Sequence, residues 1–159
     1  MKFYKGIALF AIAAALSVAM TACGGSDTPE STDGDGTPGV EQLTDVSGAE
    51  VRLGEGVTEA TVDVTLAEGE ALVIMANFES NPGEVITTTS MNGEELGSDC
   101  FYDGYGYTEI GYDPGDYTVD ISAPEATGTM WVLAYPANQV DVMTMDSQEI
   151  VETVLSDVK

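Results

Sequence analysis

Between Glu59 and Leu66 the side chains alternate without a break: Ala60, Val62, Val64 and Leu66 are apolar, while Thr61, Asp63 and Thr65 are polar. A period of two places every second side chain on the same face of an extended strand, so this stretch has one buried and one wetted face. The pattern recurs where Tyr117, Val119 and Ile121 alternate with Thr118, Asp120 and Ser122. A helix with its 3.6-residue repeat would scatter the same apolar residues around its surface and bury none of them well.

Other segments read the same way. Ala71 to Phe78 is more continuously apolar, through Leu72, Val73, Ile74 and Met75, as suits a central strand covered on both faces. Val85 to Met91 is rich in β-branched residues and ends at Asn92-Gly93, the pair that best tolerates the positive φ angles of a tight hairpin. Tyr107 to Tyr112 leads into Asp113-Pro114-Gly115-Asp116, where proline presets φ and glycine is expected in the left-handed position of a type II turn. Thr129 to Tyr135 supplies a strand around Trp131, and Val140 to Met145 a last one. Short strands at regular spacing with turn signals between them predict a mainly β fold, an antiparallel β-sandwich or jelly roll in a single domain.

The period changes at the C-terminus. Ile150, Val151, Val154, Leu155 and Val158 share a helical face, with Glu149, Glu152 and Asp157 opposite, and Asp146 and Glu149 have capping-box spacing. A short helix over 147–158 is expected, its apolar stripe covering a sheet edge or opening, or docking on a partner. The run Gly111 to Pro136, with Pro-Gly-Asp-Tyr-Thr-Val-Asp-Ile followed by the Trp131 strand, resembles the closing hairpin of many small bacterial β-sandwich modules. These include domains that follow secreted peptidases and some carbohydrate-binding jelly rolls; the resemblance implies the fold and hardly constrains function.

The first segment has the parts of a secretory signal: basic Lys2 and Lys5, an apolar stretch from Gly6 to Ala19, then small residues. Met20-Thr21-Ala22-Cys23 resembles a bacterial lipobox. That resemblance implies a signal peptide over 1–22 and acylation of Cys23, in the manner of palmitate-bearing lipoproteins, with the protein held on the extracytoplasmic face of a bacterial membrane. Two acyl chains suffice for stable anchoring where one is marginal. Residues 23–44 read as a lipidated N-terminus and flexible acidic linker, because Gly, Ser, Thr, Pro, Asp and Glu leave almost nothing to bury. About 20 such residues span roughly 25 Å as a coil. The folded domain is expected over 45–159.

All 28 acidic residues follow Cys23, and once the signal has gone only Arg52 and Lys159 oppose them. Nucleic acid is excluded as a partner, since no basic surface exists to displace counterions from phosphate. The acyl anchor rather than surface charge must hold the membrane. Solubility and repulsion from an anionic envelope explain the charge without a ligand, while cationic peptides, metal ions, neutral glycans and proteins read through apolar surface remain open as partners. With Cys23 acylated, Cys100 is the single thiol, so no intramolecular disulfide forms; its setting before Phe101-Tyr102 favours a small core residue.

There is no histidine, which removes Ser-His-Asp and Cys-His catalysis and histidine-ligated zinc, and no enzymatic role is expected. Calcium is the sharper cofactor hypothesis, with Asp99 and Asp103 around one loop and Asp113 and Asp116 at another as oxygen donors. Aspartates also favour turns without any metal. Tyr102, Tyr105, Tyr107 and Tyr112 cluster among Gly104, Gly106 and Gly111, where their rings suit stacking on a sugar or peptide, or equally packing along one strand face. The sequence therefore predicts a non-catalytic binding or envelope-associated module. The alternatives are an assembly subunit docking through its terminal helix and a calcium-dependent glycan or adhesion module.

Overall fold

The computed structural model describes residues 38–79, 83–102, 104–111 and 113–158. The signal segment, Cys23, most of the linker, Asp103 and Tyr112 lie outside the described residues. Nine strands and one helix follow in order: β1 (Val40–Gln42), β2 (Gly48–Leu53), β3 (Glu59–Leu66), β4 (Glu70–Phe78), β5 (Val85–Met91), β6 (Glu94–Phe101), β7 (Tyr105–Ile110), β8 (Gly115–Ser122), β9 (Gly128–Pro136) and α1 (Ser147–Asp157). They form a five-stranded sheet in the order β1-β2-β9-β4-β7 and a four-stranded sheet in the order β3-β8-β5-β6, with every pairing antiparallel. From β2 to β9 each strand crosses to the other sheet from the one before it, except at the β5–β6 hairpin, which is the arrangement of a jelly roll.

The main core lies between the sheets. Val62, Val64 and Leu66 from β3 and Val119 and Ile121 from β8 face Val51, Leu72, Ile74, Met130 and Val132 from the other sheet. The alternation read in β3 is realised residue by residue, buried at every even position and exposed at every odd one. Asn92 and Gly93 take φ of 53° and 79°, so the β5–β6 hairpin turns as expected.

A second core lies on the far face of the five-stranded sheet. There Ile150, Val151 and Val154 of α1 pack on Val73, Met75, Trp131, Leu133 and Tyr135. The helix lies over the side of this face that includes the edge strand β7, as expected of a stripe that covers a sheet edge, and reaches the apolar residues that β4 and β9 carry on both sides, while Arg52 of β2 on the same face stays exposed. Its stripe is consumed inside the chain. Asp146 caps it with a full capping box, accepting from the Glu149 amide at 3.0 Å while the Glu149 carboxylate accepts from the Asp146 amide at 3.3 Å.

Several expectations are corrected. The linker ends earlier than residue 44, because Val40 packs against the main core and pairs with Val51 while Leu43 packs against the second core. Val140 to Met145 is a turn: the Asp141 carboxylate accepts from the Met143 amide at 3.1 Å and its carbonyl from the Thr144 and Met145 amides, which ends any extended run. Met143 is consequently 89% exposed. Gly115 has φ of 156°, extended enough to open β8 opposite Leu66, so it does not occupy a type II left-handed position; Gly111, at φ 70°, supplies the left-handed residue nearby. Finally, 111–136 is not a hairpin, since β8 pairs with β3 and β5 while β9 pairs with β2 and β4.

Two measurements test the helix's attachment. Asp146→Ala removes the cap and is expected to lower unfolding free energy by about 1 kcal/mol in chemical denaturation. The Tyr135 hydroxyl donates to Asp157 at 2.7 Å, and burial, then this carboxylate, push its pKa from 10 up to about 12. A tyrosine with a raised folded-state pKa stabilises fully below its unfolded value, and the contribution is lost as pH rises through the folded one. Stability should therefore fall between pH 10 and about 12, and Tyr135→Phe should flatten the profile across that window.

Candidate functional site

The aromatic cluster is partly assembled. Tyr105 and Tyr107 alternate on β7 with Gly106 and Thr108 and lie opposite Asn77 and Met75 of β4. That register turns both rings toward the second core, where they are half-buried, and the Tyr107 hydroxyl donates to Glu109 at 2.9 Å. Tyr102 alone of the three projects, at 63% exposure. A recess of about 380 Å³ between the edge strands β6 and β7 collects Asp99, Tyr102, Tyr105, Tyr107 and Ser147 of α1. Of the three described rings, Tyr102 is exposed beside this recess while Tyr105 and Tyr107 line it half-buried.

Cys100 is exposed, against the expectation of a core thiol. Phe101 takes the inward position at the end of β6, and strand alternation sends its neighbour out. The Tyr102 hydroxyl is held above its ordinary pKa first by hydrogen bonding with the neighbouring Cys100 side chain, then by the negative charge of the Cys100 thiolate form, by desolvation and by Glu84.

Among the described residues, Asp99 and Asp116 do not converge. Asp99 and Ile121 both lie across from Thr87, and Asp116 is five residues further along β8, a strand distance of about 17 Å. The Asp116 carboxylate already accepts from the Thr65 hydroxyl at 2.7 Å, and the Asp113 carbonyl from the Tyr117 hydroxyl at 2.9 Å. Among the described residues no group of three or more acidic or thiol side chains is placed to hold a metal ion.

A second recess went unread in the sequence. The outer face of the four-stranded sheet carries Glu59, Thr61, Asp63 and Thr65 on β3, Asp116, Thr118, Asp120 and Ser122 on β8, and Ile86 and Thr88 on β5. Cross-strand hydrogen bonds bind these into a ladder: Thr61 donates to Asp120, Thr118 to Asp63 and Thr65 to Asp116, each at 2.7 Å, and the Thr88 and Ser98 hydroxyls are 3.2 Å apart. Each aspartate uses one oxygen in the ladder and keeps acceptor capacity on the other. At one end of this face a trough of about 420 Å³ runs over Glu59, Thr61, Asp120, Ser122, Thr88 and Ile86. Three segments distant in sequence meet there through strand register. The outward alternation of Thr61, Asp63, Thr118 and Asp120 was its one local sign, indistinguishable from an ordinary solvent face.

No family model and no curated protein matches the chain. Among solved structures it is similar to the Drosophila melanogaster CENP-C cupin domain, at 17% identity over 60% of this chain and 69% of that one, with a TM-score of 0.31. A ruminal GH26 endo-beta-1,4-mannanase matches at 15% identity over 72% of this chain and 23% of that one, TM-score 0.28. Dimeric latent PorU from Porphyromonas gingivalis matches at 14% identity over 64% of this chain and 14% of that one, TM-score 0.25. Likenesses this distant carry no argument about what the chain does.

The placement of Cys100 is directly testable. The native protein should react with a maleimide at Cys100 without prior unfolding, and Cys100→Ser should leave its stability within about 0.5 kcal/mol of wild type, as for other surface substitutions.

Proposed function

We propose that this chain is a non-catalytic binding module, lipid-anchored through Cys23 on the extracytoplasmic face of a bacterial membrane. Its ligand is read by the outer face of the four-stranded sheet. One observation carries the binding reading: α1 packs on the apolar part of one sheet's outer face, while the other sheet's outer face is uncovered, ordered by its hydroxyl–carboxylate ladder and indented by the trough. A recess of about 420 Å³ lies within the usual range for small-ligand sites. The anchor is supported by the basic and apolar stretches that precede Met20-Thr21-Ala22-Cys23. The absence of histidine from the whole sequence supports a role without acyl-transfer chemistry.

The experiment displays the full chain on bacterial cells and screens it with mixed glycan and peptide libraries. Wild-type protein should incorporate labelled palmitate and stay in the membrane fraction, and Cys23→Ser should do neither. Ser122 is exposed, so Ser122→Trp should fold normally, fill the trough and remove ligands that wild-type cells retain. Membrane retention of Cys23→Ser would refute the anchor; library binding indifferent to Ser122→Trp would refute the trough.

A further inference from the structure

Strand β3 is the outer strand of the four-stranded sheet, eight residues long and in unbroken register with β8. The Ala123 amide donates to the Thr58 carbonyl at 2.8 Å, which fixes the hydrogen-bonded positions of this pair. By antiparallel alternation, Ala60, Val62 and Val64 turn their backbone groups toward β8, and Glu59, Thr61, Asp63 and Thr65 turn theirs away from it. The outward direction is visible at Thr65, whose amide donates to the Ser47 hydroxyl at 2.7 Å. Glu59, Thr61 and Asp63 thus present a row of backbone donors and acceptors beside the trough. The opposite edge, β6, is less fit for pairing, because a bulge interrupts its partner register between Thr89 and Ser90.

Charge selects what pairs there. The side chains flanking this edge include Glu59, Asp63, Asp116 and Asp120, and Arg52, on the other sheet, is tied to Glu50 at 2.8 Å and Glu41 at 3.3 Å. A second copy of β3 would set like charges against one another. The stretch from Gly24 to Thr37 carries Asp27, Glu30, Asp33 and Asp35 and no base, so charge disfavours it as well. Among the described residues no aromatic ring lines the trough to stack on a sugar, whereas Ile86 gives an apolar floor for lysine methylenes beneath the carboxylates.

We propose that the exposed edge of β3 binds an extended cationic peptide as an added strand, its alternate lysine or arginine side chains lying over Glu59, Asp63 and the trough. Main-chain hydrogen bonds to Glu59, Thr61 and Asp63 supply register, and the carboxylates supply selectivity. The inference rests on the binding reading above and names its ligand class.

The test titrates isotopically labelled full-length protein in detergent with a synthetic peptide of strand length that alternates lysine and threonine. Two further peptides are N-methylated on either the odd or the even residues, so that each lacks donors on one edge. The parent peptide should shift the backbone amides of Glu59, Thr61 and Asp63, one methylated peptide should bind similarly, and the other should fail. Glu59→Gln combined with Asp63→Asn should weaken binding about tenfold, as for the loss of two exposed ion pairs. Equal binding by both methylated peptides, or unmoved β3 amides, would overturn strand addition. If in addition Ser122→Trp failed to block any library ligand, the trough reading would fall too; if it still blocked one, that reading would stand alone.

Discussion

Everything in this molecule hangs on the pairing of β4 with β9. Nine consecutive residues match, from Glu70 opposite Pro136 to Phe78 opposite Gly128. These strands must satisfy two separate cores at once, so nearly every side chain on them is buried whichever way it points. Leu72, Ile74, Met130 and Val132 go to the inter-sheet core, and Val73, Met75, Trp131 and Leu133 to the layer beneath α1. A one-residue slip would exchange the two sets and ruin both cores, so register here is strongly determined.

Much of the acidic load is compatible with this fold because carboxylates such as Asp63, Asp116 and Asp120 sit on its outer surface and share their charge with hydroxyls. On the four-stranded sheet, three threonines each donate to an aspartate on the neighbouring strand. Such contacts order the face without demanding countercharges, of which the chain has very few. On the other sheet Glu50 serves two partners, accepting from the Trp131 indole at 3.0 Å and pairing with Arg52, so one carboxylate on β2 is tied to the central strand β9. Polar groups are less well served inside: the Thr87 and Thr89 hydroxyls are fully buried without a hydrogen-bond partner, which makes β5 the strand where sequence and packing agree least.

The legible parts of the fold were those where burial is one-sided or complete over a full strand. β3 and β8 declared themselves by alternation, β4 and β9 by continuous apolar runs, and α1 by its stripe and cap. β2 was less legible because its alternation, Ala49, Val51 and Leu53 against Glu50 and Arg52, runs for only five residues directly after the polar linker composition. β6 did not declare itself, because most of its length is exposed and it buries little before Phe101. Val140 and Val142 imitated a strand until Asp141 drew the local amides into a turn. The tyrosine neighbourhood was visible from the spacing of Tyr105 and Tyr107, but their half-burial depends on α1, some forty residues later. The trough was invisible for a stronger reason: its walls come from residues near 60, 87 and 121, and only sheet register brings them together.

The strand at which the described chain begins also sets how this domain responds to being pulled. β1 is three residues long and joined at one edge to β2 alone, whereas β2 is matched over six residues to β9. A load arriving through the chain before Pro38 meets the weakest ladder first and strips its hydrogen bonds in succession. Peeling β1 would release about 10 Å of chain and withdraw Val40 from the margin of the main core while leaving the β4–β9 pairing intact. The jelly roll is thus built with a mechanical fuse at its N-terminal side, a give of one short strand before force reaches the body of the sandwich.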